Sequence, residues 1–263
     1  MGVCALPCIE FDRAELRTSS CLQIVKRQGG FSVPGSAKLM YHVTIKNFPT
    51  SVEAEQMAQS NEISNPDYSD EYRRLFSEAL SASRDLGFTR ECRVRTGDAV
   101  NDLLLSRFSE LLNEFSAHLD LICPGYWGNS CQTLSTNIFA FLNASGIKAD
   151  IVTGEVNIGG INTFDATLDL VKDEVASGEL LDGPQSIHAW ISLGDDTIID
   201  AALPARLAMH FSAPSHFEDM IFIGRAGEFA AKYEVRYVPI IVGTEFFAKT
   251  NPPDPMDLLD AWT

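Results

Sequence analysis

Cys131 is the residue of this sequence whose local setting best suits a chemical role. It follows Gly128-Asn129-Ser130, a turn-forming stretch, and it opens an apolar-periodic segment that is typical of a helix. The first turn of a helix has unpaired N–H groups and the positive end of the helix dipole, and both favour a thiolate over a thiol. The sequence therefore predicts a thiol nucleophile at Cys131, whose own N–H could face a developing oxyanion.

A histidine and an aspartate on a predicted β-hairpin could complete a catalytic triad with this cysteine. His188 lies on a segment of period two, the turn is predicted around Gly194, and Asp200 lies on the returning strand. A turn there sets residue 190 opposite residue 200, so His188 and Asp200 become diagonal neighbours on one face. Asp200 could then orient the imidazole of His188, which would act as the base for Cys131.

Other residues near Cys131 are candidates for the oxyanion site or for a substrate groove. Asn129 or Gln132 could donate a second hydrogen bond to an oxyanion. Trp127 and Trp190 could wall a groove, although large aromatic residues more often pack in a core. Cys123 is a rival nucleophile, but Pro124 and Gly125 follow it and no helix is predicted to begin there.

Each member of the triad has a structural interpretation when it is taken alone. A cysteine is most often buried, a histidine on an alternating strand can be structural, and an aspartate can belong to a turn or an edge. The order Cys131, His188, Asp200, with each residue in a suitable local setting, favours the catalytic interpretation.

Three short strings around the triad resemble the transglutaminase-like superfamily of papain-like cysteine enzymes. The strings are Gly128-Asn129-Ser130-Cys131-Gln132, His188-Ala189-Trp190-Ile191 and Ile199-Asp200-Ala201. The resemblance covers roughly residues 125–204. It implies a papain-like or transglutaminase-like α+β core, in which the helix bearing the nucleophile packs on an antiparallel sheet. It also implies acyl-thioester chemistry, namely peptide hydrolysis, glutamine deamidation or amide transfer, with no metal or organic cofactor.

The surrounding patterns predict helices before strands, which is an α+β order. Helices are predicted over residues 98–119, from Ser130 to about residue 145, and near residues 168–175; a further helical face runs over residues 72–80. Strands are predicted over residues 41–45, 149–156, 187–191, 197–201, 220–224 and 233–242, and a polar helix over residues 52–60. Residues 1–96 form an N-terminal region of unknown role, 97–250 the catalytic core, and 251–263 an acidic Pro-rich tail.

Composition narrows the classes of partner. The 263 residues carry 36 acidic and 20 basic side chains, a net charge of -16. Such a surface repels phosphate backbones and anionic lipids, so we expect neither nucleic acid nor membrane as partner, and a peptide or protein, better a basic one, as substrate. Six cysteines without a CxxC pair favour reduced thiols. No cleavable signal or membrane span is predicted, so the expected location is the cytoplasm, with delivery into another cell left open.

The sequence therefore predicts a cysteine-dependent hydrolase or acyltransferase that acts on a peptide bond or a glutamine side chain. Two alternatives remain open at this stage. One is an acyltransferase that uses the same triad with an acyl-CoA donor. The other is a binding or scaffold protein in which the triad is a relict. The oligomeric state is left open.

Overall fold

The protein is built on one antiparallel sheet. The computed structural model describes residues 23–26, 66–98, 100–177, 185–251 and 253–263. The strands in these residues are β1 (Gln23–Lys26), β2 (Asp150–Ile158), β3 (Ile161–Asn162), β4 (His188–Ser192), β5 (Thr197–Asp200), β6 (Met220–Arg225) and β7 (Val235–Val242). Their order is β1-β6-β5-β4-β2, with β3 and β7 both paired to β2, and every pairing is antiparallel.

Helices cover both faces of this sheet. They are α1 (Pro66–Asp85), α2 (Asp102–Ile122), α3 (Cys131–Ala144), α4 (Leu168–Ser177), α5 (Leu203–His210), α6 (Ala226–Tyr233), α7 (Glu245–Thr250) and α8 (Pro255–Trp262). Two short 3₁₀ turns, Trp127–Asn129 and Ser215–Asp219, precede α3 and β6. The expectation of an α+β fold with an antiparallel sheet is confirmed.

The alternation along β4 shows how the sequence divides the core into two layers. Ala189 and Ile191 belong to the apolar cluster that includes α2 and α3, whereas Trp190 belongs to the cluster that includes α1 and α6. All five residues of β4 are buried, because helices cover both sides of the sheet. His188 is the first residue of β4, so this central strand fixes its backbone.

The segment that the sequence analysis describes as an acidic Pro-rich tail, residues 251–263, includes a helix. Within residues 251–263, α8 begins at Pro255 behind an Asp254 cap, whose carboxylate accepts the Met256 N–H at 2.9 Å. Leu259 is buried, and the Trp262 ring packs edge-on against Phe141 of α3 at 6.1 Å between ring centroids. Helix α8 therefore docks on α3, the helix that carries Cys131.

The region before residue 97 contributes to the same sheet and core. Strand β1 pairs with β6, and α1 packs its buried face, with Tyr72 and Phe76, into the apolar cluster on one side of the sheet. Pro66 does not break the helical pattern but begins it, as proline can at a first helical position. The predicted strand at residues 41–45 and the predicted helix at residues 52–60 lie outside the described residues.

Besides α8, three helices beyond β5 had no counterpart in the sequence-based prediction: α5, α6 and α7. Helix α5 begins three residues after Asp200, α6 connects β6 to β7, and α7 follows β7. Helix α6 ends at Glu234, which adopts the left-handed conformation with φ 53°, and β7 begins at the next residue. Among the described residues, no helix combines the length and the apolar character that crossing a membrane would need.

Candidate active site

Helix α3 begins at Cys131 and holds its thiol against the start of β4. The Cys131 Sγ lies 4.0 Å from the carbonyl oxygen of Ile187, and only 8% of the residue is exposed. Ser130 stands at the cap position, but its side chain makes no capping hydrogen bond. One turn further, the Ser135 hydroxyl donates to the Ala189 carbonyl at 3.0 Å, which ties α3 to β4. The thiol therefore has a fixed position at the positive end of a helix.

His188 and Asp200 are in direct contact. The Nε2 of His188 donates to the Oδ2 of Asp200 at 2.6 Å, and both side chains are about 1% exposed. The hairpin pairs Ile191 with Ile199, which is the predicted register and makes His188 and Asp200 diagonal neighbours on one face. The predicted hairpin geometry is thus confirmed.

Asp200 is held by more groups than the sequence suggested. Its Oδ1 accepts the backbone N–H groups of Ala202 at 2.9 Å and Leu203 at 3.0 Å, which lie at the start of α5. Its Oδ2 accepts the Tyr237 hydroxyl at 3.0 Å in addition to His188. Both oxygens of this buried carboxylate are therefore satisfied, as burial of a charge requires. Tyr237 lies on β7, and no local pattern linked it to the hairpin.

The electrostatics of His188 suit a partner for a thiol. Burial by itself lowers the pKa of His188, but the charge and hydrogen bond of Asp200, together with Cys131, outweigh it and raise the pKa. With Nε2 occupied by Asp200, the Nδ1 atom is buried and has no hydrogen-bond partner in the described part of the chain. Cys131 contributes to the raised pKa of His188, so it lies close enough to interact with the ring. Nδ1 is then the ring atom available to exchange a proton with the thiol.

Aromatic rings fix the plane of the imidazole. The Phe164 ring stacks on His188 with 4.9 Å between centroids, and the Trp190 ring lies 6.0 Å away on the next position of the same strand face. The Trp190 indole N–H donates to the Tyr72 hydroxyl at 3.1 Å. Trp190 is fully buried, so it supports His188 from inside and does not wall an exposed groove.

A buried glutamate holds the loop that presents Phe164. Glu155 on β2 accepts the N–H groups of Thr163 at 2.9 Å and Phe164 at 3.0 Å, and that of Ala166 at 2.8 Å. Hydrogen bonds from several N–H groups to one carboxylate are strong because the acceptor is charged. Glu155 is therefore a positioning residue for the site. The sequence signal for this role was an acidic residue in the middle of a predicted strand.

The other predicted site residues take structural contacts. Trp127 is fully buried, and its indole N–H donates to the Cys123 carbonyl at 3.0 Å, so it lines no exposed groove. The amide of Gln132 is engaged at both ends, donating to Gln185 and accepting from Asn251. These two contacts fix the amide and use one of its two N–H protons.

The side-chain oxygen Oδ1 of Asn129 accepts a hydrogen bond from the Nη1 of Arg206 at 3.4 Å. The rival nucleophile, Cys123, lies at the C-terminal cap of α2, where the dipole does not favour a thiolate. A surface cleft lined by Asp85, Leu168 and Lys172 among others includes none of the triad residues.

Comparisons with family models, with curated proteins and with solved structures found no match. The chemistry of the site is therefore argued from its own geometry.

Proposed function

We propose that this protein is a cysteine-dependent hydrolase or acyltransferase that acts on an amide, a peptide bond or a glutamine side chain, through a thioester. The observation that carries the proposal is the pairing of His188 Nε2 with the buried Asp200, which leaves Nδ1, within the described part of the chain, to interact with Cys131. Nucleophile, base and orienting carboxylate are then joined in one chain of contacts.

The reaction follows from the roles of these groups. The thiol proton of Cys131 passes to Nδ1 of His188, and the sulfur attacks the carbonyl carbon of the amide. The N–H groups of the first turn of α3 stabilise the oxyanion. The C–N bond then breaks, and the leaving amine takes the proton from His188. Water or a second amine attacks the thioester, His188 removes and returns one proton, and the Cys131 thiol is restored.

The architecture supports the transglutaminase-like or papain-like version of this proposal. A helix that begins with the cysteine packs on an antiparallel sheet, and the histidine and the aspartate follow on neighbouring strands. The acidic excess of the chain favours a peptide or protein substrate that is basic overall. The acyl-CoA acyltransferase and the relict triad remain the competing outcomes of the test.

Alkylation of the native protein at neutral pH, mapped by peptide mass spectrometry, tests the nucleophile first. We expect Cys131 to react on the order of a hundredfold faster than Cys92, because the thiolate is the reactive form. Cys92 is a control within the same chain, since burial raises the pKa of its thiol to about 12. His188→Ala should slow Cys131 and leave Cys92 unchanged.

Turnover then distinguishes the competing functions. Glutamine peptides with hydroxylamine as acceptor should give hydroxamate or ammonia in the wild type and in Cys92→Ser, and none in Cys131→Ser. A folded Cys131→Ser protein with full activity would overturn the proposal. Transfer that depends on acyl-CoA would favour the acyltransferase, and an inert Cys131 would indicate a relict triad.

A further inference from the structure

Arg206 of α5 is connected to the triad from two sides. Its guanidinium carbon lies 4.6 Å from the centre of the Phe164 ring, the same ring that stacks on His188. Its Nη1 donates to the side-chain oxygen Oδ1 of Asn129 at 3.4 Å, and Asn129 lies two residues before Cys131. The guanidinium therefore lies at the border of the site, between the loop that supports the histidine and the turn that precedes the cysteine.

This arginine has no carboxylate partner within the described part of the chain. Arg73 and Arg225, by contrast, each form ion pairs with acidic side chains. The Nε atom of Arg206 is buried and makes no hydrogen bond to the described residues. A partly buried cation without an anion is costly, and this chain has 36 acidic residues that could have supplied one. The position therefore fits an anion that another molecule supplies.

A second polar group, the Tyr126 hydroxyl, lies close enough to Arg206 for its charge to act on it. The Tyr126 hydroxyl is buried and has no hydrogen-bond partner in the described residues. Burial raises the pKa of Tyr126 to about 12, the positive charge of Arg206 acts in the opposite direction, and the negative charge of Glu218 adds to the rise. The Tyr126 hydroxyl packs against Gly128, in the turn before Cys131. It lies so close that a side chain at position 128 would collide with it. The two groups offer one anion a charged and a neutral donor.

We propose that Arg206 and Tyr126 form a carboxylate-binding subsite beside Cys131, which selects an acyl donor with a carboxylate close to the scissile amide. Guanidinium and hydroxyl donors suit a carboxylate, and the planar guanidinium adds directional preference. The carboxylate comes from an acidic side chain or from the free end of a peptide. This subsite rests on the proposed thiol chemistry and adds a substrate class to it.

Three bromoacetyl probes separate the subsite from the chemistry. In each, Cys131 sulfur forms a bond to the bromoacetyl carbon, bromide leaves, and the thiol proton passes to His188. Bromoacetyl-glutamine amide is neutral, bromoacetyl-glutamate amide carries a side-chain carboxylate, and bromoacetyl-glutamine with a free end carries a terminal one. Rates of Cys131 labelling are compared in the wild type, Arg206→Gln, Arg206→Lys and Tyr126→Phe. Arg236→Gln is the matched control, since this exposed arginine lies over the aromatic ring of Tyr68 at 5.3 Å, much as Arg206 lies over that of Phe164.

We expect the wild type to prefer one anionic probe over the neutral one by about tenfold or more, the scale of a single charge-assisted hydrogen bond. The probe that is preferred identifies the source of the carboxylate. Arg206→Gln should lower the rates of the anionic probes more than the neutral rate, so that the preference is lost; Arg206→Lys should keep part of the preference, and Tyr126→Phe should reduce it. The Arg236→Gln control should behave as the wild type.

Two results would overturn the subsite while the thiol chemistry stands. One is equal labelling by all three probes in the wild type. The other is an equal loss for all three probes in Arg206→Gln, which would assign this arginine to support of the local fold. Failure of every probe to label Cys131 in the wild type would instead overturn the proposed function, and the subsite with it.

Discussion

At the scale of single residues, Asp200 combines two tasks that usually fall to different side chains. One oxygen accepts N–H groups at the start of α5, as a capping residue does, and the other holds His188 and Tyr237. Because the carboxylate is fixed by the helix and by the tyrosine, it cannot turn away from the imidazole. The orientation of His188 is therefore determined by contacts that do not depend on a substrate.

The pKa of His188 gives the first prediction at this scale. In the wild type, NMR titration should place the His188 ring above the ordinary value of about 6.5. Asp200→Asn should lower that pKa, because the negative charge that offsets the effect of burial is removed. Tyr237→Phe, which keeps the carboxylate, should leave the pKa raised. An unchanged His188 titration in Asp200→Asn would contradict the assigned contact.

The same shift predicts how stability depends on pH. A pKa raised in the folded state adds stability that is fully present below the unfolded value of about 6.5 and is lost as pH rises through the folded value. The wild type should therefore exceed Asp200→Asn in free energy of unfolding by an amount whose pH-dependent part shrinks as the pH rises above about 6.5. Urea unfolding across this range measures it.

At the scale of elements, the site depends on a loop that a buried carboxylate holds. The loop between β3 and α4 carries Phe164, and Glu155 binds its backbone from inside the sheet. The ring of Phe164 contacts both His188 and Arg206. A change at Glu155 should therefore reach the triad and the carboxylate subsite without touching either directly.

Glu155→Gln tests this dependence. We expect a loss of about 1–3 kcal/mol in the free energy of unfolding, the scale of weakened buried hydrogen bonds to a charged group, and slower alkylation of Cys131. Glu245→Gln is the matched control, since Glu245 also accepts two backbone N–H groups, those of Thr89 and Arg90. It should cost stability and leave the Cys131 rate unchanged. Equal Cys131 rates in both variants would remove the positioning role of Glu155.

At the scale of the whole molecule, the net charge and the local charge of the site have opposite signs. The chain carries -16 overall, whereas Arg206, which has no carboxylate partner among the described residues, brings a positive group to the border of the triad. A long-range field acts on the rate of encounter and is screened by salt, whereas a contact at close range is screened less. A substrate that is basic in its flanks and acidic next to the scissile amide satisfies both.

Salt dependence of turnover separates these two effects. Two peptides with the same carboxylate beside the reactive amide, one flanked by lysines and one by serines, should differ most at low ionic strength. We expect kcat/KM for the lysine peptide to fall as salt rises from about 0.02 to about 0.5 M, because the Debye length shortens. The serine peptide should change little. Parallel curves for the two peptides would exclude steering by the net charge.

The sequence determined the parts of this protein that depend on neighbours in the chain. The hairpin register that brings His188 to Asp200 follows from a turn of a few residues and the period of two in its strands. The start of α3 at Cys131 follows from the turn-rich stretch before it and the apolar period after it. Such features need no knowledge of the rest of the fold.

Only the tertiary structure decided which distant groups complete the site. Tyr237 reaches Asp200 from 37 residues away, and Asn251 reaches Gln132 across 119 residues. Helix α8 joined the core because α3 offers an apolar face to Leu259 and Trp262 of this short helix. These contacts arise from how the helices pack on the sheet. Because that packing depends on all elements together, a local sequence pattern does not predict it.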